Sequence, residues 1–183
     1  MAVRYKVPFE ANKIYFITFT ILEWQNIFTD DRYCQLVYKW FDYMKERYGN
    51  KIHGYVIMPN HVHVLLFVSA NSPVIWKLIQ NAKRFLAYGI VKLLQEGKRH
   101  DPLKEFSFQA DIRHGAKHKI FEDRYDSKLI ENKALFIEKL NYIHNNPCSK
   151  KWRLVELSQD YSHSSAGNYM FGSGMYPVDM LVE

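Results

Sequence analysis

Two histidines, His61 and His63, stand two residues apart in the apolar run Gly54-Tyr-Val-Ile-Met-Pro-Asn-His-Val-His-Val-Leu-Leu-Phe67. A β-strand turns successive side chains to opposite faces, so on a strand both imidazoles share one face. Neutral imidazoles so placed make half of a divalent-cation site. Given hydrogen-bond partners instead, they are two satisfied histidines in a half-buried strand. A second pair lies farther along. Tyr142 and Asn146 are four apart and neighbours on a helix, and Glu138 shares their face. A phenol is a weak nucleophile, with a free pKa of about 10. Beside a cation that neutralises a phosphate and fixes the line of attack, less is asked of it. The amide oxygen of Asn146 is a suitable hard ligand. Tyr142 is also one of 13 tyrosines, and spacing alone does not set it apart.

The elements that must position these groups follow from periodicity. Residues 13–22 are nearly all β-formers and read as a strand buried on both faces. Asp30 and Asp31 offer a cap to a helix with apolar positions Tyr33, Val37, Trp40, Phe41, Met44 and Tyr48, ended by Gly49-Asn50. Residues 51–58 and 61–68 read as strands joined at the Pro59-Asn60 turn, with Val62, Val64, Leu66 and Val68 as an apolar row opposite the histidines. Asn71-Ser72-Pro73 opens a helix ending near Gly97. Residues 98–128 lose periodicity and gather basic side chains, among them Arg113 and His114; a short fourth strand belongs around 106–112 or 119–125. Asn132 caps a last helix, with core stripe Phe136, Leu140 and Ile143, which Pro147 ends. The order strand, helix, strand, strand, helix, strand, helix predicts an α+β fold, a ferredoxin-like antiparallel sheet with packed helices. Residues 1–183 read as one domain, with 148–183 as a C-terminal tail.

Composition bounds the partners. The 183 residues are 48% apolar and 16% aromatic, which excludes a disordered chain. A net charge of +6 suits a polyanion such as nucleic acid. No apolar run reaches membrane-spanning length, Met1–Lys6 lacks the pattern of a signal peptide, and Cys34 and Cys148 lack metal spacing. The expectation is a cytoplasmic protein with free thiols.

Met58-Pro-Asn-His-Val-His63 resembles the HUH motif (His, bulky apolar, His) of the single-tyrosine transposases, and within them the REP-associated tyrosine transposase-like group. Tyr142-Ile-His-Asn-Asn-Pro147 is similar to the family's nucleophile helix, and Asp160–Tyr169 to its C-terminal aromatic-x-x-Ser-Ser block. The chain departs from the family pattern at Cys148–Val155, which lacks an Ala-Gly step, and at His163. The resemblance implies an HUH endonuclease fold in which His61, His63 and Asn146 hold a divalent metal, Mg2+ or Mn2+. It implies that Tyr142 attacks a phosphodiester of single-stranded DNA, leaving a 5′-phosphotyrosine and a free 3′-hydroxyl. It also implies hairpin recognition by a basic surface, for which Lys83, Arg84, Lys117, Lys119 and Arg124 are candidates, and either a monomer or a homodimer exchanging tyrosine helices.

Two other functions fit parts of the sequence. A domesticated nucleic-acid-binding protein of the same fold needs only the basic face. A zinc hydrolase needs a further ligand and a base, for which Glu122, Asp123 and Asp126 are the acidic residues at hand.

Overall fold

The computed structural model describes residues 9–110 and 117–181. Four strands, β1 (Lys13–Ile21), β2 (Lys51–Met58), β3 (His61–Val68) and β4 (Phe121–Leu129), form one sheet in the order β2-β3-β1-β4. Every adjacent pair is antiparallel. Between the strands run α1 (Asp31–Tyr48), α2 (Ile75–Glu96) and α3 (His100–Phe108); α4 (Lys133–Asn145) and α5 (Ala166–Phe171) come after β4. The expected α+β, ferredoxin-like sheet is the observed one.

The sheet separates two apolar layers. Val62, Val64, Leu66 and Val68 of β3 join Tyr15, Ile17, Phe19 and Ile21 of β1 in the layer against α1 and α2. The layer on the other face is smaller, with Val56, Met58 and Leu65 against Phe136, Leu140 and Ile143 of α4. β1 corrects the expectation of a strand buried twice over. Its other face, with Phe16, Thr18 and Thr20, is only half-buried and borders a cleft.

The caps explain the helix limits. Asp30 accepts from Arg32 N at the start of α1, and Gly49 takes the left-handed conformation at its end. Asn132 Oδ1 accepts from Leu135 N to open α4. α2 begins later than its sequence signal, with Val74 in the cap position and no side-chain bond. α3 was not expected. It carries Pro102 in its first turn and buries only Phe106, too narrow a stripe to show as periodicity. The fourth strand matches the later alternative, displaced to 121–129; residues 111 and 112 of the earlier alternative, with Arg113 and His114, lie outside the described residues.

The segment beyond Pro147 is more than a tail. Ile57 N donates to His163 O and Ser165 N to Tyr55 O, both at 2.9 Å, so residues 163–165 add to the β2 edge. His163 is held by the Tyr38 hydroxyl at 2.9 Å and Asp31 at 3.0 Å. Ser165 Oγ lies 2.9 Å from His144 Nε2 and 3.0 Å from the Tyr55 N–H that donates to it. This block therefore ties α4 to the sheet. Gly54 permits the close seat: a Cβ there would lie 2.7 Å from Leu140 Cδ1.

Candidate active site

His61 and His63 lie on the sheet face turned toward α4. Both are buried, at 6% and 4% exposure, with ring centroids 4.6 Å apart. Each has one nitrogen engaged. Asn60 Nδ2 donates to the Trp24 carbonyl at 2.9 Å. That orients the amide and makes its Oδ1 the acceptor 2.7 Å from His61 Nδ1. His61 thus carries its proton on Nδ1 and keeps a lone pair on Nε2. Thr18 Oγ1 lies 2.7 Å from His63 Nδ1. His63 Nε2 is buried with no hydrogen-bond partner among the described residues. A buried polar atom left so costs about 1–3 kcal/mol. A cation on Nε2, with Nδ1–H given to Thr18, removes that cost, and the chemistry of the site fits one.

Protonation favours the same use. Burial, helped by the Lys151 charge, lowers the His61 pKa to about 4. Burial, then the neighbouring His61, holds His63 well below the ordinary histidine range. Both rings are neutral at pH 7, the form a metal requires.

α4 brings Tyr142 over these rings. Its ring meets that of His63 edge-on at 5.2 Å. Phe16 buttresses both, stacking on His63 at 5.3 Å and meeting Tyr142 at 5.9 Å. Tyr142 is 50% exposed. With both histidines and Asn146 it lines a cleft of about 1130 Å³. The tyrosine therefore reaches the histidines of its own chain. Asn146 stays on its face because residue 146 keeps helical angles (φ −58, ψ −46) although a proline comes next. It is 9% exposed. No three His, Cys, Asp or Glu side chains among the described residues gather around a metal position; Asn146 is one of the amide side chains that line the same cleft.

The acidic residues also reach the cleft: Glu122, Asp123 and Asp126 all line it. Two of them brace its wall. Glu122 Oε1 accepts from Glu23 N at 2.8 Å, and Asp123 pairs with Lys119 at 2.9 Å.

The expected basic surface needs correction at Lys83. Its side chain is buried, and its ammonium donates to the carbonyls of Glu122 at 2.6 Å, Asp123 at 3.4 Å and Arg124 at 3.0 Å. Burial lowers its pKa to about 8. It ties α2 to β4 and presents no charge to a ligand. We expect Lys83→Met to cost about 1–2 kcal/mol in urea unfolding, from the carbonyls left unpaired. Arg84 and Lys117 are exposed but do not line the cleft; Arg124 does. Two cationic side chains of the cleft were missed, Lys139 and Lys151. Lys139, three residues before Tyr142, was available from helical spacing. Lys151, beyond the proline, was not.

No family model matches the chain, and no curated protein matches it. Among solved structures, that of a REP-associated tyrosine transposase bound to a REP hairpin is similar over 100% of this chain and 93% of that one, with a TM-score of 0.65 and 17% identity. The chain has the fold of that transposase. A protein of Deinococcus radiodurans R1, itself a proposed transposase, aligns over 78% of this chain and 96% of its own, with a TM-score of 0.49 and 15% identity. The fold expected from the HUH resemblance is thus the fold found. Among the described residues, no helix is long and apolar enough to cross a membrane.

Proposed function

We propose that the protein is a single-tyrosine transposase of the REP-associated kind, which cleaves and rejoins single-stranded DNA beside a hairpin. One observation carries the reading. The Tyr142 ring stands 5.2 Å from that of His63, whose buried Nε2 has no partner among the described residues. A nucleophile and a cation half-site thus face one cleft. The solved structure of like fold holds a REP hairpin, which supports DNA as the substrate.

In this reading the Tyr142 hydroxyl attacks the phosphorus and gives up its proton. The bond to the 3′-oxygen breaks, and that oxygen takes up a proton. One phosphodiester is exchanged for another, so the product is a 5′-phosphotyrosine with a free 3′-hydroxyl, and reversal needs no ATP. His61 and His63, with Asn146, would hold Mg2+ or Mn2+. Such a cation supplies charge neutralisation at the phosphoryl oxygens. Phe16 holds the phenol against His63, and Lys139, 5.9 Å from the Tyr142 ring centre, adds positive charge beside it. Arg124 and Lys151 offer charge to the flanking phosphates.

The test is incubation with a pool of single-stranded hairpins and Mg2+ or Mn2+, and then sequencing of the DNA trapped on the protein. A metal-dependent adduct on Tyr142 is expected. Hairpin binding without any adduct would instead identify a binding protein of the same fold.

Asn60 is the positioning residue. Its amide sets the His61 tautomer and holds the Trp24 carbonyl at once. We expect Asn60→Ala to weaken Mn2+ binding about 10-fold or more, read by electron paramagnetic resonance titration. Asn60→Asp, which keeps an acceptor for His61 Nδ1, should retain most of the affinity.

A further inference from the structure

The His61 end of the cleft carries two tryptophans that the cleavage chemistry does not use. Trp24 and Trp152 flank His61, with ring centroids at 6.1 Å and 5.9 Å from it. Lys151 Nζ lies 4.9 Å from the centre of one indole and 5.6 Å from the other. All three side chains line the cleft.

Trp24 is held there against its own preference. Glu23 and Trp24 adopt φ values of 52° and 57°, in the left-handed region that bulky side chains avoid. Neighbours fix this turn. Glu122 accepts from Glu23 N, Gln109 donates to the Glu23 carboxylate, Gln25 donates to Glu105, and Asn60 donates to the Trp24 carbonyl. The result is an indole 55% exposed at the mouth of the cleft. An exposed aromatic face beside a lysine is what an unpaired base stacks on.

The order along the cleft gives the ligand's position. Tyr142 packs on His63, His63 neighbours His61, and the tryptophans lie beyond His61. In phosphoryl transfer the nucleophile and the leaving oxygen stand in line on opposite sides of phosphorus. From these positions we infer that Trp24, Trp152 and Lys151 form a clamp for the base of the leaving nucleotide, the one on the 5′ side of the cleaved bond. This rests on the proposed cleavage by Tyr142. A base entering against Trp24 takes the face the ammonium now covers, and Lys151 turns to the adjoining phosphate. The clamp keeps the freed 3′-hydroxyl near the phosphotyrosine, which favours rejoining over loss of the strand.

The experiment uses Tyr142→Phe protein, so that binding is read without chemistry. Labelled hairpin oligonucleotides carrying a single abasic site, walked along the unpaired strand, are titrated by fluorescence anisotropy. One position is expected to weaken binding about 10-fold. The same site should have little effect on protein also carrying Trp24→Leu, and its full effect with Trp24→Phe, which keeps a stacking face. That position should adjoin the junction found by sequencing the wild-type adduct, on its 5′ side. An abasic walk that is flat, or effects of site and substitution that multiply independently, overturns the clamp. A sensitive position away from the junction overturns its assignment to the leaving nucleotide. If wild type forms an adduct and the walk is flat, only the clamp fails. If no adduct forms, the proposed cleavage fails, and with it the assignment to a leaving nucleotide.

Discussion

Tyr142→Phe is expected to abolish the covalent protein–DNA adduct, by at least about 10⁴-fold, because the change removes the oxygen proposed to attack and nothing else. The ring keeps its contacts with Phe16 at 5.9 Å and His63 at 5.2 Å. The lost hydroxyl belongs to a half-exposed side chain, so the fold bears no cost. Hairpin affinity should stay within about twofold, since a phenol contributes little to phosphate binding. Denaturing electrophoresis of labelled hairpin with either protein reads the first quantity, and anisotropy the second. Among the described residues the cleft offers one other tyrosine, Tyr125, but it is 5% exposed and burial raises its pKa. An adduct that survives in Tyr142→Phe, at Tyr125 or elsewhere, would sink the mechanism.

The hairpin that carries the histidines was legible because everything that makes it is local. Period-two alternation sets the faces of β3, and Pro59-Asn60 supplies the two-residue turn that pairs Met58 with His61. α4 was legible as a helix for similar reasons, with a cap at Asn132 and a stop at Pro147. Its seat over the sheet was not. That depends on the missing side chain at Gly54 and on Ser165 reaching Tyr55 and His144, contacts between residues as much as 110 apart.

The Lys83 misreading has the same origin. On α2 it stands beside the apolar stripe, and only the position of β4 decides that its ammonium meets three carbonyls rather than solvent. The second face of β1 looked like core because residues 13–22 are nearly all β-formers. In the fold Phe16 serves as the floor of the cleft, stacked on His63. The place of Trp24 in the cleft was invisible in the sequence for another reason. A left-handed turn is usually announced by glycine, whereas here Glu23 and Trp24 are forced into it by partners from β4, α3 and the β2–β3 turn.

His63→Ala should eliminate divalent-metal binding, and with it adduct formation, by at least about 100-fold, while costing little in stability. The wild-type ring contributes a buried Nε2 that has no partner among the described residues. Its removal therefore relieves one unsatisfied atom as it opens a cavity and frees Thr18 Oγ1. Metal bound only by the folded state raises stability by mass action, so the two effects separate in one measurement. Adding Mn2+ should raise the urea midpoint of wild type and leave that of His63→Ala unmoved. The effect should stand out in mild acid. His61 and His144 have folded pKa values lowered to about 4 by burial, against about 6.5 in the unfolded chain. Between those values the unfolded state binds more protons than the folded one. Metal-free stability is thus full above about pH 6.5 and falls as the pH drops toward 4, by up to roughly 3 kcal/mol for each histidine. At pH 5.5 the folded rings are still neutral and keep their lone pairs, so metal can restore what protonation of the unfolded chain removes. Protection by Mn2+ that persists in His63→Ala would place the cation elsewhere and break the link between His63 and the tyrosine above it.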